Sequence, residues 1–524
     1  MEVHYPKYVL YGLLIAASWL ISCLLHFQFI HLSLFASRPR DSPPPLIVLP
    51  LSVSTALDAR RQLPARSAIS DQDGALRRLS SAASPSCEGR LVYMVDVPSR
   101  FDVLRDCVQG SPLFQDEYSM CSLMANAGMG PVFPPATGDG SDGDTGVIPN
   151  TGWYNTDQYA LEVIVHNRMS QYECLTDDPA AATAVYVPYY PALEVEQHRC
   201  GFNASVRNGP STEFLRWLSS RPHWAPFGGR DHFMVAAKTT WMFRHNERDG
   251  DPGADRVCGN NFLERPESGN MTVLTYESNV WARRDFAVPY PSYFHPTSAH
   301  AVAAWQARAR AARRPRLFAF AGARRAKGVL AIRDRIIDSC ASSSRCGLVD
   351  CSHGFEGFLT CHSPRRIVSV FASSRFCLQP PGDSSMRRSM VDSIMAGCIP
   401  VFFHEESTFK KQYRWHHPDP DGGDRRYWVL IDPDEVLDGR VDIEEVLARY
   451  TDQDVAAMRE EVIKMIPRFL YKDPRVSFQG DMRDAFDIAF DEVMARIRRI
   501  KNGEDLGWPV DDDMAAHLKT RDNS

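Results

Sequence analysis

The stretch from Ser373 to Phe403, SSRFCLQPPGDSSMRRSMVDSIMAGCIPVFF, constrains the fold more than any other part of the chain. Arg375–Gln379 reads as a buried strand, PPGD as a turn and Met386–Ala396 as a helix with Ser384 or Ser385 as its N-cap. Met390, Val391, Ile394 and Met395 share one helical side, and Gly397 is placed to stop the helix. Cys398–Phe403 then supplies a second apolar strand. Two such strands around one helix form a parallel, right-handed βαβ unit. The chain must therefore contain an α/β domain whose sheet is covered on both faces, with ligands expected at the carboxyl ends of the strands.

The same pattern occurs upstream. Leu317–Gly322 (LFAFAG) is an apolar run ending in glycine, followed by cationic Arg324, Arg325 and Lys327 and a helix-like VLAIRDRIIDSC. In the first unit, Arg387 and Arg388 stand where a helix begins, although the helix dipole disfavours cations there. Free N–H groups and guanidiniums facing one crevice suit a diphosphate. Taken singly, each arginine is as readily a solvated or paired surface cation. Asp392, eight residues after Ser384, is placed either to accept ribose hydroxyls or to lie exposed on the helix.

The 524 residues carry 59 Lys+Arg against 65 Asp+Glu, so no global polyanion binder is indicated. Locally the text is uneven. Residues 1–7 form a short tail. Tyr8–Ile30 is apolar and long enough to span a bilayer, which favours an anchor over a cleaved signal. Residues 31–86 are rich in Pro, Ser and Ala and read as a stem. Twelve cysteines follow from Cys87 onward; the spacings of Cys340, Cys346, Cys351 and Cys361 favour disulfides over a zinc site. Asn203 and Asn270 begin N-x-[ST] sequons. Anchor, cysteines and sequons together predict a lumenal body.

That body divides into an aromatic- and Pro-rich half, 87–305, and a β–loop–α half, 306–495, before a polar tail, 496–524. AHAVAAWQARARAARR predicts an exposed connecting helix that Pro315 ends. In GGRDHF, Asp231 and His232 are candidate general bases, with Asp157 and His166 as rivals. Trp153, Tyr154, Tyr159, Trp241 and Trp281 either stack on sugar rings or fill the core. Asp432-Pro433-Asp434 has the form of a metal-binding Asp-x-Asp, but Asp then Pro then acids also makes a helix start, which is the preferred reading. No metal site is expected, and no pair of carboxylates marks a glycoside hydrolase.

Across most of Cys87–Arg475 the chain resembles the plant exostosin-like glycosyltransferases of family 47, and within them the xyloglucan galactosyltransferase group. The matching text is WYNTDQYALEVIVHNRMSQYECLTDDP, GGRDHF, FAVPYPSYFHP, LFAFAGA, the Ser373–Phe403 motif and IPRFLYKDPR. The resemblance implies a GT-B fold of two Rossmann-like domains facing a cleft, with the acceptor on the first half and the nucleotide sugar mainly on the second. It implies a single-pass type II Golgi membrane protein with a lumenal catalytic region. It further implies inverting transfer from a UDP-sugar, UDP-galactose first and UDP-galacturonic acid or UDP-arabinose as alternatives, to a cell-wall polysaccharide. A rival reading of another class is a catalytically silent subunit that anchors or organises other Golgi transferases; the intact SSMRRSMVDS text argues against it. Carried onto this chain, the donor site comprises Gly322, Arg324, Arg325, Arg333, Gln379, Gly382, Ser384, Arg387, Arg388 and Asp392. Trp153, Tyr154 and Asp157 fall on the acceptor side. No cofactor beyond the UDP-sugar co-substrate is implied. FAGARR stands where similar proteins read FAGAPR, and Asp392 where exostosin relatives often carry Glu.

Overall fold

Among the described residues of the computed structural model, eleven short strands, all paired in parallel, form two separate sheets. The structure describes residues 87–504, except 106, 108–112, 114–118, 134–147, 150, 199, 252–256, 279–284, 326–330, 353–356, 358–360, 362 and 419–426. The apolar run at 8–30, the stem at 31–86, Lys327, Trp281 and most of the 496–524 tail lie outside the described residues. Among those described, no helix is long and apolar enough to cross a membrane.

The first sheet contains β1 (Val92–Met94), β2 (Leu175–Thr176), β3 (Ala184–Tyr186), β4 (His232–Val235), β5 (Thr272–Thr275) and β6 (Asp285–Ala287), in the order β2-β1-β3-β4-β5-β6. The second contains β7 (Arg316–Gly322), β8 (Cys346–Asp350), β9 (Ser374–Gln379), β10 (Ile399–Phe402) and β11 (Val429–Leu430), in the order β8-β7-β9-β10-β11. Numbered within its own sheet, each runs 2-1-3-4-5, and the first adds a sixth strand. The chain leaves the first strand of each sheet to one side and returns on the other. That reversal opens a crevice at the carboxyl ends of the first and third strands. It falls between β1 and β3 in the first sheet and between β7 and β9 in the second.

The predicted βαβ unit is present. β9 pairs with β10 in the register Phe376 to Ile399, and the intervening helix is Arg388–Met395. Met390, Val391, Ile394 and Met395 are buried, and Gly397 takes the left-handed φ of 65° that ends the helix. The start differs from expectation. Arg387 is the N-cap residue, with no side-chain cap, so neither Ser384 nor Ser385 fills that position. The segment before it is drawn out because Ser384 Oγ donates to the Met386 carbonyl and the Met386 N–H points to Glu277 at 3.5 Å.

Two long helices connect the halves. Ala299–Ala311 is the predicted connector, but it is anchored, not simply exposed: Val302, Trp305 and Ala309 are buried, and Trp305 Nε1 donates to the Met395 carbonyl at 2.8 Å. The helix Ala485–Lys501 runs through position 495 and buries Ile497 and Ile500. It returns to the first half, where Phe490 lies 6.0 Å from the Phe233 ring and Arg90 pairs with Asp491. All twelve cysteines from Cys87 onward are joined, as 87–174, 107–121, 200–258, 340–346, 351–361 and 377–398. The four clustered cysteines are thus two local disulfides. Asp432 caps the helix Pro433–Leu437 through the N–H groups of Asp434 and Glu435, as a helix start should.

Candidate active site

The crevice between β7 and β9 gathers positive charge. Gly322 ends β7, and a Cβ there would sit 2.7 Å from an Arg333 guanidinium nitrogen. Gly382 follows β9, and any side chain there would overlap the Arg387 guanidinium. A side chain at either position would displace a guanidinium from the space it now fills. Arg333 is 4% exposed in the first turn of the helix Ile332–Ser342, lies over the Phe320 ring, and leaves Nε without a hydrogen bond. Burial, then the charges of Arg387 and Arg325, lower its pKa to about 10, against the opposing pull of Asp383 and Asp334. The buried Arg333 guanidinium is thus repelled by two others, Arg387 and Arg325. Such an arrangement is costly unless an anion enters it.

The other predicted donor residues divide. Arg324 turns outward and pairs with Asp338 at 2.6 Å. Gln379 braces the motif: its Oε1 accepts from Ser389 Oγ at 2.6 Å, and its Nε2 donates to the Ser389 carbonyl. Ser384 lies against Glu277 and Tyr290 of the first half.

Arg388 and Asp392 do not join the guanidinium cluster. Arg388 crosses to the first half, donates to the Thr156 carbonyl at 2.6 Å and stacks 3.7 Å from the Tyr293 ring centroid. Asp392 is 4% exposed and lies 3.9 Å from Arg388, one helical turn away. Burial raises its pKa to about 6, and Arg388 opposes the rise. It is a buried acid one turn from Arg388, not an exposed one on the helix surface. The cause is the backbone: Arg387 is still extended (φ −137°, ψ 145°) while Arg388 opens the helix, so the two side chains leave in different directions.

Asp231 and His232 lie away from the guanidinium crevice. They open β4 and so stand at its amino end, opposite the crevice. His232 is fully buried, with Nδ1 2.8 Å from Asp231 and Nε2 2.9 Å from His223 Nδ1, and Asp231 also pairs with Lys501. The group ties the last helix to the first sheet. The rival His166 is held neutral, its pKa lowered to about 4 by burial.

Trp153 is core, not a sugar platform: it is 2% exposed and packs on Phe294 and Trp305. Tyr154 hydrogen-bonds Arg475 at 2.6 Å. Asp157 is 7% exposed and accepts from the Tyr159 N–H. Asn203 is exposed at a helix start, whereas Asn270 donates its side-chain amide to the Gly228 carbonyl.

A carboxyl that sequence reasoning passed over does reach the crevice. Glu277 follows β5 at its carboxyl end, is 6% exposed, and faces Thr240, Ser384 and the Met386 N–H. Burial raises its pKa, and those hydrogen bonds pull against the rise. Its signal was present: an apolar strand, TVLT, with an acid two residues beyond its end. Among the described residues no group of three His, Cys, Asp or Glu side chains is placed to hold a metal.

The exostosin GT47 domain matches residues 86–447, which covers both sheets and the guanidinium crevice. The chain belongs to the exostosin GT47 family of glycosyltransferases. Xyloglucan galactosyltransferase MUR3 of Arabidopsis thaliana is 41% identical over 430 residues, covering 82% of this chain and 65% of that protein. The chain therefore spans about two thirds of that relative's length. A probable xyloglucan galactosyltransferase of the same plant, GT15, is 38% identical over 438 residues, 82% of this chain and 86% of that one. A solved structure described as a GtfA/B complex aligns with a TM-score of 0.31 at 10% identity, over 66% of this chain and 61% of that one, too loosely to bear on the fold. The family match names no site residue; Gly322, Arg325, Arg333, Gly382 and Arg387 are the residues that lie together after β7 and β9.

Proposed function

We propose that this chain moves a sugar, galactose from UDP-galactose, onto side chains of a plant cell-wall polysaccharide such as xyloglucan, with inversion. The observation that carries the reading is the convergence of Arg325, Arg333 and Arg387 at the crevice of the second sheet. A diphosphate relieves their mutual repulsion, and the names of the similar proteins supply the sugar and the acceptor. The two parallel sheets would form the two domains of a GT-B enzyme.

In the proposed step a base takes the proton of an acceptor hydroxyl, and its oxygen bonds to the anomeric carbon. The bond from that carbon to the β-phosphate oxygen breaks, and UDP leaves with the electron pair. The guanidiniums stabilise the charge that develops on the diphosphate. Glu277 replaces Asp231 and His232 as the candidate base. Its carboxyl faces the donor loop, and burial raises its pKa above the ordinary carboxylate value. The guanidiniums supply positive charge at the leaving group, so no metal is required. In this reading the run Tyr8–Ile30 anchors a type II protein in the Golgi membrane with residues 87–504 in the lumen.

The test incubates the full-length chain with a panel of UDP-sugars and defined xyloglucan oligosaccharides. Galactosyl transfer is the expected outcome. UDP binding without transfer to any acceptor would refute the enzymatic reading and favour a scaffold.

A further inference from the structure

The helix Ala204–Ser219 starts at Asn203, a residue type that usually turns its side chain back to accept from the first free N–H groups. Here it does not. The Asn203 side chain makes no capping hydrogen bond, and the residue is exposed. Asp249, from a later loop, does the capping instead. Its Oδ1 accepts from the Ser205 N–H at 3.1 Å, and it also meets the Ala204 N–H and the Ser205 hydroxyl, contacts that lower its pKa. The helix start is therefore satisfied without Asn203, whose amide is left to solvent.

The surface around that amide is apolar. Phe202 precedes it and is 41% exposed, and Val206 follows one helical turn later and is 42% exposed. Of the large apolar side chains exposed among the described residues, only these two lie within four positions of each other. Side chains at the N-cap and three residues on meet at a helix start, which places Val206 beside Asn203. Phe202 is held by an edge contact to the His198 ring at 5.1 Å and by its carbonyl, which accepts from Arg207 Nε at 3.1 Å. A single apolar side chain on a surface needs no partner, but a fixed pair is disfavoured in water unless something covers it.

Asn203-Ala204-Ser205 is an N-x-[ST] sequon. We infer that Asn203 carries an N-linked glycan and that the first sugars of this glycan cover Phe202 and Val206. The inference goes beyond the proposed transfer reaction and rests only on the placing of residues 87–504 in the lumen. The donor class is a polyprenyl-diphosphate-linked oligosaccharide that begins with N-acetylglucosamine. Asn203 Nδ2 bonds to the anomeric carbon of that sugar and gives up one proton. The bond from the same carbon to the diphosphate oxygen breaks, and the lipid diphosphate leaves with the electron pair. The step belongs to the entering chain, before Asp249 engages the Ser205 hydroxyl. In the folded protein the C–H face of the sugar packs on the apolar pair, and no capping hydrogen bond is given up.

Asn270 supplies the contrast. It is half-buried, its Nδ2 donates to the Gly228 carbonyl at 2.9 Å, and no exposed large apolar side chain stands within four positions of it among the described residues. A glycan there has nothing of this kind to cover.

The test expresses the full-length chain in plant cells. Glycopeptide mass spectrometry should find Asn203 occupied in most molecules. Asn203→Gln removes the sequon without adding a charge and should lower the melting temperature by about 1–3 °C. In a Phe202→Ser, Val206→Ser background the same substitution should shift it much less, because the surface to be covered is gone. If Asn203→Gln accumulates poorly, enzymatic deglycosylation of the folded parent and of the Phe202→Ser, Val206→Ser variant gives the same comparison. Protease protection in sealed microsomes reads the lumenal placing independently. An unmodified Asn203 in protected protein overturns the inference, as does an equal shift in the two backgrounds. A body that protease digests in sealed microsomes refutes the lumenal placing, and the inference falls with it.

Discussion

Replacing Arg387 by Met tests the donor assignment most directly. The substitution keeps an unbranched side chain beside Gly382 and removes the charge. Arg387 makes no hydrogen bond or ion pair among the described residues, and it depresses the Arg333 pKa. Its removal should therefore not destabilise the empty protein, and relief of the repulsion should raise the melting temperature slightly. With UDP the sign reverses. A charge-assisted hydrogen bond contributes about 1.5–3 kcal/mol. Its loss should weaken UDP binding about 10- to 100-fold. A UDP concentration of 100 times the parental Kd stabilises the parent by about 2.7 kcal/mol. The same concentration would be about 1 to 10 times the variant's Kd and would stabilise it by only about 0.4–1.4 kcal/mol. Scanning calorimetry with and without UDP reads both effects in one experiment. Parental UDP stabilisation, or a marked fall in the melting temperature of the empty variant, would refute the reasoning.

Glu277→Gln should lower kcat about 10²- to 10⁴-fold while leaving UDP affinity within a factor of about two, since the amide cannot take a proton. Steady-state kinetics with parallel calorimetry check this, and a kcat within tenfold of the parent would remove Glu277 from the mechanism. Acidification from pH 6.5 towards 4 should lower thermal stability. Burial holds His166 and His295 neutral with folded pKa values of about 4, below the unfolded value, so their contribution is full above 6.5 and is lost as pH falls to about 4. Asp392, raised to about 6, acts in the opposite sense between about 4 and 6, so the net loss should be smaller than the histidines alone would give. A melting temperature that is flat or rises over that range would contradict the assignment. Removing the 377–398 disulfide by paired Cys→Ser changes opens a 21-residue loop between β9 and β10 and should cost about 3 kcal/mol in denaturant unfolding.

The second half was legible in the sequence because its period changes cleanly. Runs such as FCLQ and IPVF bracket a helix whose apolar residues recur on one side, and the model-independent rule for parallel crossovers does the rest. The helix start was misread because Ser is a frequent N-cap, whereas here Ser384 and the Met386 N–H are engaged by Glu277 across the cleft. That contact joins residues 109 positions apart, beyond any local pattern. The position of Asp231 and His232 follows from a simpler rule. They precede the apolar run FMVAA, so they had to lie at the amino end of the strand, whereas the crevice opens at the other end. Glu277, after TVLT, obeys the rule that should have been applied. The aromatics of the first half gave no such signal, because Trp153 and a surface tryptophan look alike until the packing of Phe294 and Trp305 is known.

The paired arginines at the helix start explain why an electrostatically unfavourable arrangement is useful. The dipole repels both, yet each is accommodated differently. Arg388 gains a carbonyl, an aromatic face and Asp392 one turn on, and these hold the second half against Thr156 and Tyr293 of the first. Arg387 gains none of these and faces Arg333 instead. The residue that joins the halves is therefore covalently adjacent to the one left for an anion. A diphosphate drawn to Arg387 would bear on a helix start that Arg388 already fixes to the first half. Glu277 meets the same short loop from the opposite side through the Met386 N–H. Donor charge, the contact between halves and the candidate base thus converge on residues 384–388.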